Sequence, residues 1–379
     1  MLNSGSDKMI ELSSPILGEE EKRVLNDVID SGWLTMGERV AGFEKAFALS
    51  HGVDDAVAVN SCTAALHLAL KALDIGPGDE VMVPSLTFVA TVNAVLYVGA
   101  TPLFVDIKNL DTPHISLDDA QAQCSAKTKA VIVMHYGGYP VNVSAWRLLC
   151  DENGLLMIED AAHAPGVGGV GRVSDAAAFS FFTNKNMSTA EGGMILSPRA
   201  SVLKRLRHLR AHGMSTDTVT RHRGHAYSYD VSMLGYNYRM DELRAAMGIV
   251  QLKRLEDWNK KRYALSKYYR RLLNDQIPGA VVPFNAVHET AAHLMPVLLP
   301  AGVNRKRIMD CLRHDGIQVS IHYPCVHRFT YYRQRFPDVY LPKTEEFCDR
   351  ELTLPLHPSL TENDADRVVE SLRKAICES

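Results

Sequence analysis

Two residues of this sequence have the types and settings that covalent chemistry needs. Lys185 lies in Ser180-Phe181-Phe182-Thr183-Asn184-Lys185-Asn186-Met187-Ser188-Thr189-Ala190-Glu191-Gly192-Gly193, just past an apolar run. Asp160 closes another such run, in Ile158-Glu159-Asp160-Ala161-Ala162-His163. A lysine near one strand end, opposite an acid at another, can hold and tune an aldehyde cofactor. An ionised Asp160 near a pyridine ring would keep the ring nitrogen protonated. The ring could then accept electrons from a carbanion, which is the task of pyridoxal phosphate (PLP) chemistry. Each residue alone also has a plain explanation. Most lysines are solvated surface charges, and an acid at a strand end commonly caps the next turn.

Other positions add to this pair. Asn60-Ser61-Cys62-Thr63-Ala64-Ala65-Leu66-His67-Leu68 joins a strand to a helix, and Ser61 or Thr63 would cap that helix. A helix start can seat a phosphate on its free N–H groups, although an ordinary N-cap has the same sequence. Phe88, in Pro84-Ser85-Leu86-Thr87-Phe88, follows a strand and could stack on a ring, though aromatics there more often belong to the core. Gly166-Val167-Gly168-Gly169-Val170-Gly171 matches GxGxxG. Ala161 to Pro165 separate it from the preceding strand, and a strand follows it. A dinucleotide fingerprint instead opens a helix directly after its strand. Lys204-Arg205-Leu206-Arg207-His208-Leu209-Arg210 is most simply an amphipathic helix with a solvated basic face.

These residues must be positioned by a regular scaffold. Apolar runs at Ala56–Asn60, Glu80–Pro84, Thr101–Asp106, Ala130–His135, Leu155–Glu159, Ala176–Phe181 and Gly193–Ser197 read as strands. Several are continuous, as in strands buried on both faces of a largely parallel sheet. Helical stretches at Thr63–Leu73, Phe88–Val98, Leu117–Ala122 and Ser144–Asn153 separate the first five. The pattern predicts an α/β fold: a three-layer α/β/α domain with a seven-stranded, mostly parallel sheet. Two helices precede it, one starting at Gly18 with three glutamates in its first turn and one over Val40–Ser50. Thr216–Tyr229 reads as a mobile polar loop. A long helix, with room for one break, runs from Met240 to Asn274. Candidate strands His293–Leu299 and Gln318–His322 and helices Arg305–Asp315 and Glu362–Ile376 then predict a smaller α+β domain. The expected division is 1–250 and 251–379.

Bulk properties bound the function. The 379 residues are 46% hydrophobic and 22% charged, which fits a globular chain of this length. A net charge of −3 points to neither nucleic acid nor an acidic membrane. The seven cysteines include no CxxC pair, so neither a zinc site nor a disulfide framework is expected, and a reducing cytoplasm fits best. Met1–Leu12 lacks the apolar core of a signal peptide. No apolar stretch approaches the ~20 residues of a membrane helix.

In order along the chain, the motifs resemble the DegT/DnrJ/StrS family of sugar aminotransferases, fold type I PLP enzymes. The resemblance begins at Gly32-Trp33-Leu34-Thr35-Met36-Gly37 and continues through the Ser61–Leu70, Pro84–Thr91, His135–Gly138, Glu159–Ala164 and Lys185 segments. It ends with Gly235-Tyr236-Asn237-Tyr238-Arg239-Met240, Ile321-His322-Tyr323-Pro324 and Leu354-Pro355-Leu356-His357-Pro358. It implies that Lys185 forms the Schiff base with PLP and that Asp160 pairs with the pyridine nitrogen. His163 would pack beside the ring, Phe88 would stack on it, and Thr63, Ser180 and the amide of Cys62 would hold the phosphate. Cys62 departs from the Gly or Ala usual in the family, but a thiol leaves the backbone N–H free. Asn237 would reach the cofactor phosphate of a neighbouring subunit, implying a homodimer with shared active sites.

The activity so implied is amino transfer from glutamate or glutamine to a keto sugar carried on a nucleotide diphosphate. Arg221, Arg223, His322, Tyr323 and His327 are the expected contacts of that sugar nucleotide. Family dehydratases carry His where Lys185 stands, so the lysine favours amino transfer. A cyclitol ketone as acceptor, or a PLP-binding regulator contacting DNA through Lys204–Arg210, are the other readings.

Overall fold

A computed structural model describes residues 9–214, 230–285, 287 and 289–378. Its seven apolar runs form one sheet: β1 (Ala56–Val59), β2 (Glu80–Pro84), β3 (Thr101–Val105), β4 (Thr128–Met134), β5 (Leu156–Asp160), β6 (Ala176–Ser180) and β7 (Gly193–Leu196). The order across it is β1-β7-β6-β5-β4-β2-β3. Only β7 runs antiparallel to its neighbours. The other pairs are parallel. Register sets Asp160 opposite Met134 and Ala178, and Ser180 opposite Gly193. The carboxyl ends of β5 and β6 therefore meet along one edge, the usual ligand position of an open α/β sheet.

The strands are continuous apolar runs because both faces are covered. Val57, Val59, Val83 and Ile132 pack under α3 (Cys62–Ala72), α4 (Val89–Tyr97) and α7 (Ala200–Leu209). On the opposite face, Ala56, Ala58 and Phe179 meet α2 (Glu38–His51). Met82, Val131 and Met157 meet α5 (Leu117–Gln123) and α6 (Val143–Asn153). Before α2, α1 (Glu19–Ser31) starts at Gly18, whose N–H donates to Glu21 Oε2 at 2.8 Å.

α8 (Glu242–Gln276) is one unbroken 35-residue helix, where a break was allowed for. At 1.5 Å per residue it runs for about 50 Å. Its first half packs in the sheet's core through Ala245 and Leu255. Its second half enters another core through Leu265, Tyr269 and Leu273. That second core also holds the antiparallel pair β8 (Met295–Leu298) and β9 (Glu351–Leu354), with α9 (Arg305–His314) and α12 (Glu362–Cys377). Ile10 joins it from the N-terminus, bridging Ile317. Between α9 and β9 lie two short helices, α10 (Thr330–Arg335) and α11 (Pro342–Arg350).

One expected strand is corrected. Gln318–His322 makes only one isolated bridge, Ser320 to Thr353, with Ile317 just before it bridging Ile10, and β8 pairs with β9 instead. The reason is local. The His322 N–H donates to the Glu351 side chain at 2.9 Å, not to a strand backbone, and Pro324 has no N–H to donate. The expected loop over Thr216–Tyr229, with Arg221 and Arg223, lies outside the described residues. Among the described residues, no helix is long and apolar enough to cross a membrane.

Candidate active site

Lys185 sits in the loop between β6 and β7, and the loop is pinned from three directions. The Asn186 amide donates to Asn259 Oδ1 at 2.8 Å and to the Ala291 carbonyl at 2.7 Å. Asn186 Oδ1 lies 2.9 Å from His293 Nδ1. The Ser188 N–H donates to Gln251 Oε1 at 3.3 Å. Gln251 and Asn259 are both on α8, so the long helix fixes the stem on which the lysine stands. Above it the Lys185 side chain opens into a cavity of about 340 Å³ shared with Asp160, Thr63, Ser180, His163 and Tyr323. Its amine has no hydrogen-bond or ion-pair partner among the described residues. Burial lowers its pKa to about 8, against the pull of Cys62 and Asp160. An amine near neutrality can take a proton and give it back.

Asp160 is buried at the end of β5. Burial pushes its carboxyl up. The Thr91 hydroxyl, donating to Oδ2 at 2.6 Å, and the Ala162 N–H, donating to Oδ1 at 3.2 Å, oppose that push. Thr91 is itself held by Thr87 Oγ1 at 2.7 Å. No ion pair with Asp160 forms among the described residues. Two donors already aimed at a buried carboxylate prepare it for a cation from outside the protein, and a protonated ring nitrogen is such a cation.

The other end of the cavity suits an anion. Ser61 Oγ accepts from the Ala64 N–H at 3.1 Å, so Ser61 is the N-cap of α3. Cys62 and Thr63, whose N–H groups precede any intrahelical acceptor, line the cavity. β7 presses on this turn at Gly193, where a Cβ would meet the Ser61 carbonyl carbon and oxygen at 2.6 Å and Cys62 N at 2.8 Å. A helix start with free N–H groups can seat a phosphate. The Cys62 thiol is pushed well up by burial and stays neutral. A free amine, a buried acid awaiting a cation and an anion seat in one cavity fit the aldehyde, ring nitrogen and phosphate of PLP.

His163 and Tyr323 form the next layer. The Gly137 N–H donates to His163 Nδ1 at 3.2 Å, which leaves the ring proton on Nε2, donating to Tyr323 Oη at 2.9 Å. Burial holds His163 well below its usual pKa, so the ring is neutral. Phe88 is 53% exposed at the cavity mouth, its ring 5.9 Å from that of Tyr323. His322 lines the same cavity.

The structure does not bring every expected residue here. His327 is corrected: it is buried away from the cavity. Its Nδ1 lies 2.7 Å from Ser85 Oγ and its Nε2 3.1 Å from Glu345 Oε1, so both ring nitrogens are engaged in fastening its loop. Asn237 is exposed outside its own chain's cavity, bridging Ala211. Thr91 and Glu351 were missed. Thr91 lies in the first turn of α4, four residues after Thr87 at the end of the β2–α4 connection, and that pair of hydroxyls is the signal that could have found it. Glu351 carries no local signal.

The two look-alike motifs have structural roles. The Gly171 N–H donates to Glu159 Oε1 at 3.0 Å and the Gly168 N–H to Glu289 Oε1 at 2.9 Å. On α7 and its C-cap, Arg205 pairs with Asp74, Arg207 with Asp55 and Arg210 with Glu44. The three arginines of the basic run are thus paired within the chain.

Fold and site together define a PLP-dependent aminotransferase of fold type I. The chain belongs to the DegT/DnrJ/EryC1/StrS aminotransferase family, whose model matches residues 15–373. It is 38% identical over 378 residues to the spore coat polysaccharide biosynthesis protein SpsC of Bacillus subtilis (strain 168), covering 96% of each chain. Its structure is similar to Helicobacter pylori PseC, an aminotransferase involved in the biosynthesis of pseudoaminic acid. There the TM-score is 0.91 at 29% identity, over 98% of this chain and 100% of that one. The PLP form of the sugar aminotransferase Spr1654 from Streptococcus pneumoniae is similar too. Its TM-score is 0.89 at 27% identity, over 98% of this chain and 99% of that one.

Proposed function

We propose that this enzyme transfers an amino group from glutamate or glutamine to a keto sugar carried on a nucleotide diphosphate. The observation that carries the reading is the unpartnered Lys185 amine, lowered to about 8, in one cavity with Asp160 and the start of α3. The sugar acceptor is supported by the likeness to SpsC and PseC. The lysine favours amino transfer over dehydration.

When bound, PLP supplies an aldehyde to receive the amino group and an electron sink for the charge left by proton removal. The N–H groups of Cys62 and Thr63, with the Ser180 hydroxyl, hold its phosphate. The Asp160 carboxylate answers its ring nitrogen, and Phe88 and His163 flank the ring. Lys185 Nζ removes the α-proton of the amino donor. In the second half it delivers a proton to the sugar carbon that receives nitrogen. His322 and Tyr323, with Arg221 and Arg223, contact the sugar nucleotide.

We read the enzyme as a cytoplasmic homodimer with a large domain over 1–250 and a small one over 251–379. Seven free cysteines suit a reducing compartment. Asn237 is exposed, as are Val231 and Leu234 at 52% and 82% exposure, and this supports its reaching into a second copy's site. The test is turnover against a panel of keto nucleotide sugars, read as amino-sugar formation with glutamate or glutamine. Amination of cyclitol ketones alone would overturn the reading. Recovery of activity on mixing inactive Lys185→Ala and Asn237→Ala chains tests the shared sites.

A further inference from the structure

Behind His322 runs a short chain of buried polar groups that the mechanism above does not use. The His322 N–H donates to Glu351 Oε2 at 2.9 Å. The Thr353 hydroxyl lies between Glu351 Oε1 and His322 Nδ1, the latter 3.0 Å away. Glu351 and Thr353 are both buried on β9. His322 Nε2 has no protein partner among the described residues, and the ring lines the cavity that holds Lys185.

A hydroxyl has one hydrogen, so this chain has two polarities. With Glu351 ionised, Thr353 must donate to Oε1 and accept from His322 Nδ1–H, which leaves Nε2 a bare acceptor. With a proton on Oε1, the carboxyl donates to Thr353. Thr353 then donates to Nδ1, and Nε2 becomes a donor. The ring itself stays neutral, because burial and the Lys185 charge hold it at about 4.

We propose that Glu351 is a positioning residue that sets, through the Thr353 hydroxyl, which nitrogen of His322 carries the ring proton. It thereby decides whether His322 offers a sugar hydroxyl an acceptor or a donor. The role toward the sugar rests on the function proposed above.

The surroundings place this change near working pH. Burial raises the Glu351 carboxyl to about 8, while Thr353, the His322 N–H and the Arg305 guanidinium pull it down. Arg305 is fixed by its bond to the Glu351 carbonyl at 2.9 Å. Tyr136, which donates to the His322 carbonyl, Tyr323 and Cys348 also face Glu351; burial keeps the two tyrosines neutral, and the Cys325 hydrogen bond with burial keeps Cys348 so.

The experiment follows the imidazole nitrogens of the ¹⁵N-histidine-labelled holoenzyme by NMR from about pH 6 to about pH 10, spanning the Glu351 transition. His322→Gln assigns the signal. In the wild type the proton should move from Nε2 to Nδ1 with a midpoint near 8. In Glu351→Gln the amide oxygen must take the His322 N–H, so its NH₂ faces Thr353 and the proton stays on Nε2 at every pH. Thr353→Val should lose the transition and Thr353→Ser should keep it, which guards against a misfolded Glu351 variant. The sugar KM should follow pH in the wild type and be flat in Glu351→Gln, with the donor KM unchanged between them. A tautomer that ignores pH in the wild type, or that titrates normally in Glu351→Gln, overturns the proposal. The NMR arm needs no sugar. A switch that titrates as expected while no keto sugar is aminated overturns the substrate reading and upholds the relay.

Discussion

Asn186 should decide whether Lys185 is held in place by the fold or merely sits in a convenient loop. Its side chain is 3% exposed and makes all three of its contacts across long sequence distances, to Asn259, Ala291 and His293. Asn186→Ala strands Asn259 Oδ1, the Ala291 carbonyl and His293 Nδ1. A buried group left without its partner costs about 1–3 kcal/mol, so the three set a ceiling of about 9 kcal/mol. Asn259 Nδ2 still donates to the Pro165 carbonyl at 2.9 Å, which holds the side chain in place but leaves its Oδ1 unpaired. The open cavity next door also lets water reach part of the gap. An expected loss of about 3–5 kcal/mol remains, near the top of the range for single substitutions. Loosening the stem also displaces Nζ. A 1 Å misplacement of a catalytic group costs about 10²-fold in rate.

Two assays read these separately. Urea unfolding of the cofactor-free protein gives the stability change. Stopped-flow bleaching of the bound cofactor by glutamate gives the first half-reaction. Asn184→Ala is the stability control, since Asn184 Oδ1 has no partner to lose among the described residues, and its change should stay within about 1 kcal/mol. The reasoning fails if Asn186→Ala also stays within about 1 kcal/mol and keeps the half-reaction rate, because three buried hydrogen bonds cannot vanish at so small a cost.

Other perturbations probe the rest of the site. In the cofactor-free protein the Lys185 pKa falls from 10.5 to about 8 on folding, so between these values the unfolded chain binds more protons. Stability should therefore rise with pH across that window, and the difference between wild type and Lys185→Met should isolate the slope. Thr91→Val removes a donor from the Asp160 carboxylate and pushes its pKa higher still. Cofactor titration should show affinity about 10–100-fold weaker, the size of one hydrogen bond to a charge. Gly193→Ala drives a methyl group into the Ser61–Cys62 backbone. It should cost about 1–3 kcal/mol in thermal or urea unfolding and weaken cofactor binding, as overpacking does.

Sequence patterning alone carried most of the scaffold. Seven apolar runs, their spacing and the intervening helical periods specify a three-layer α/β fold because strands buried on both faces must be continuously apolar. Lys185 and Asp160 stood out by residue type and position at strand ends, and the ordered motifs of the family joined Thr63, Ser180, Phe88 and His163 to them. Contacts between distant segments were not legible, because hydrogen bonds across hundreds of residues leave no local period. The small sheet's second strand, β9, was missed because four residues ending at Leu354 look like a loop until β8 lies beside them. His327 looked like a ligand until its two nitrogens met Ser85 and Glu345. Tertiary packing also lowered the Lys185 amine, aimed Thr91 at Asp160 and threaded Glu351 to His322. Burial and distance set the charge and proton positions of these groups, and both arise only when the chain closes on itself.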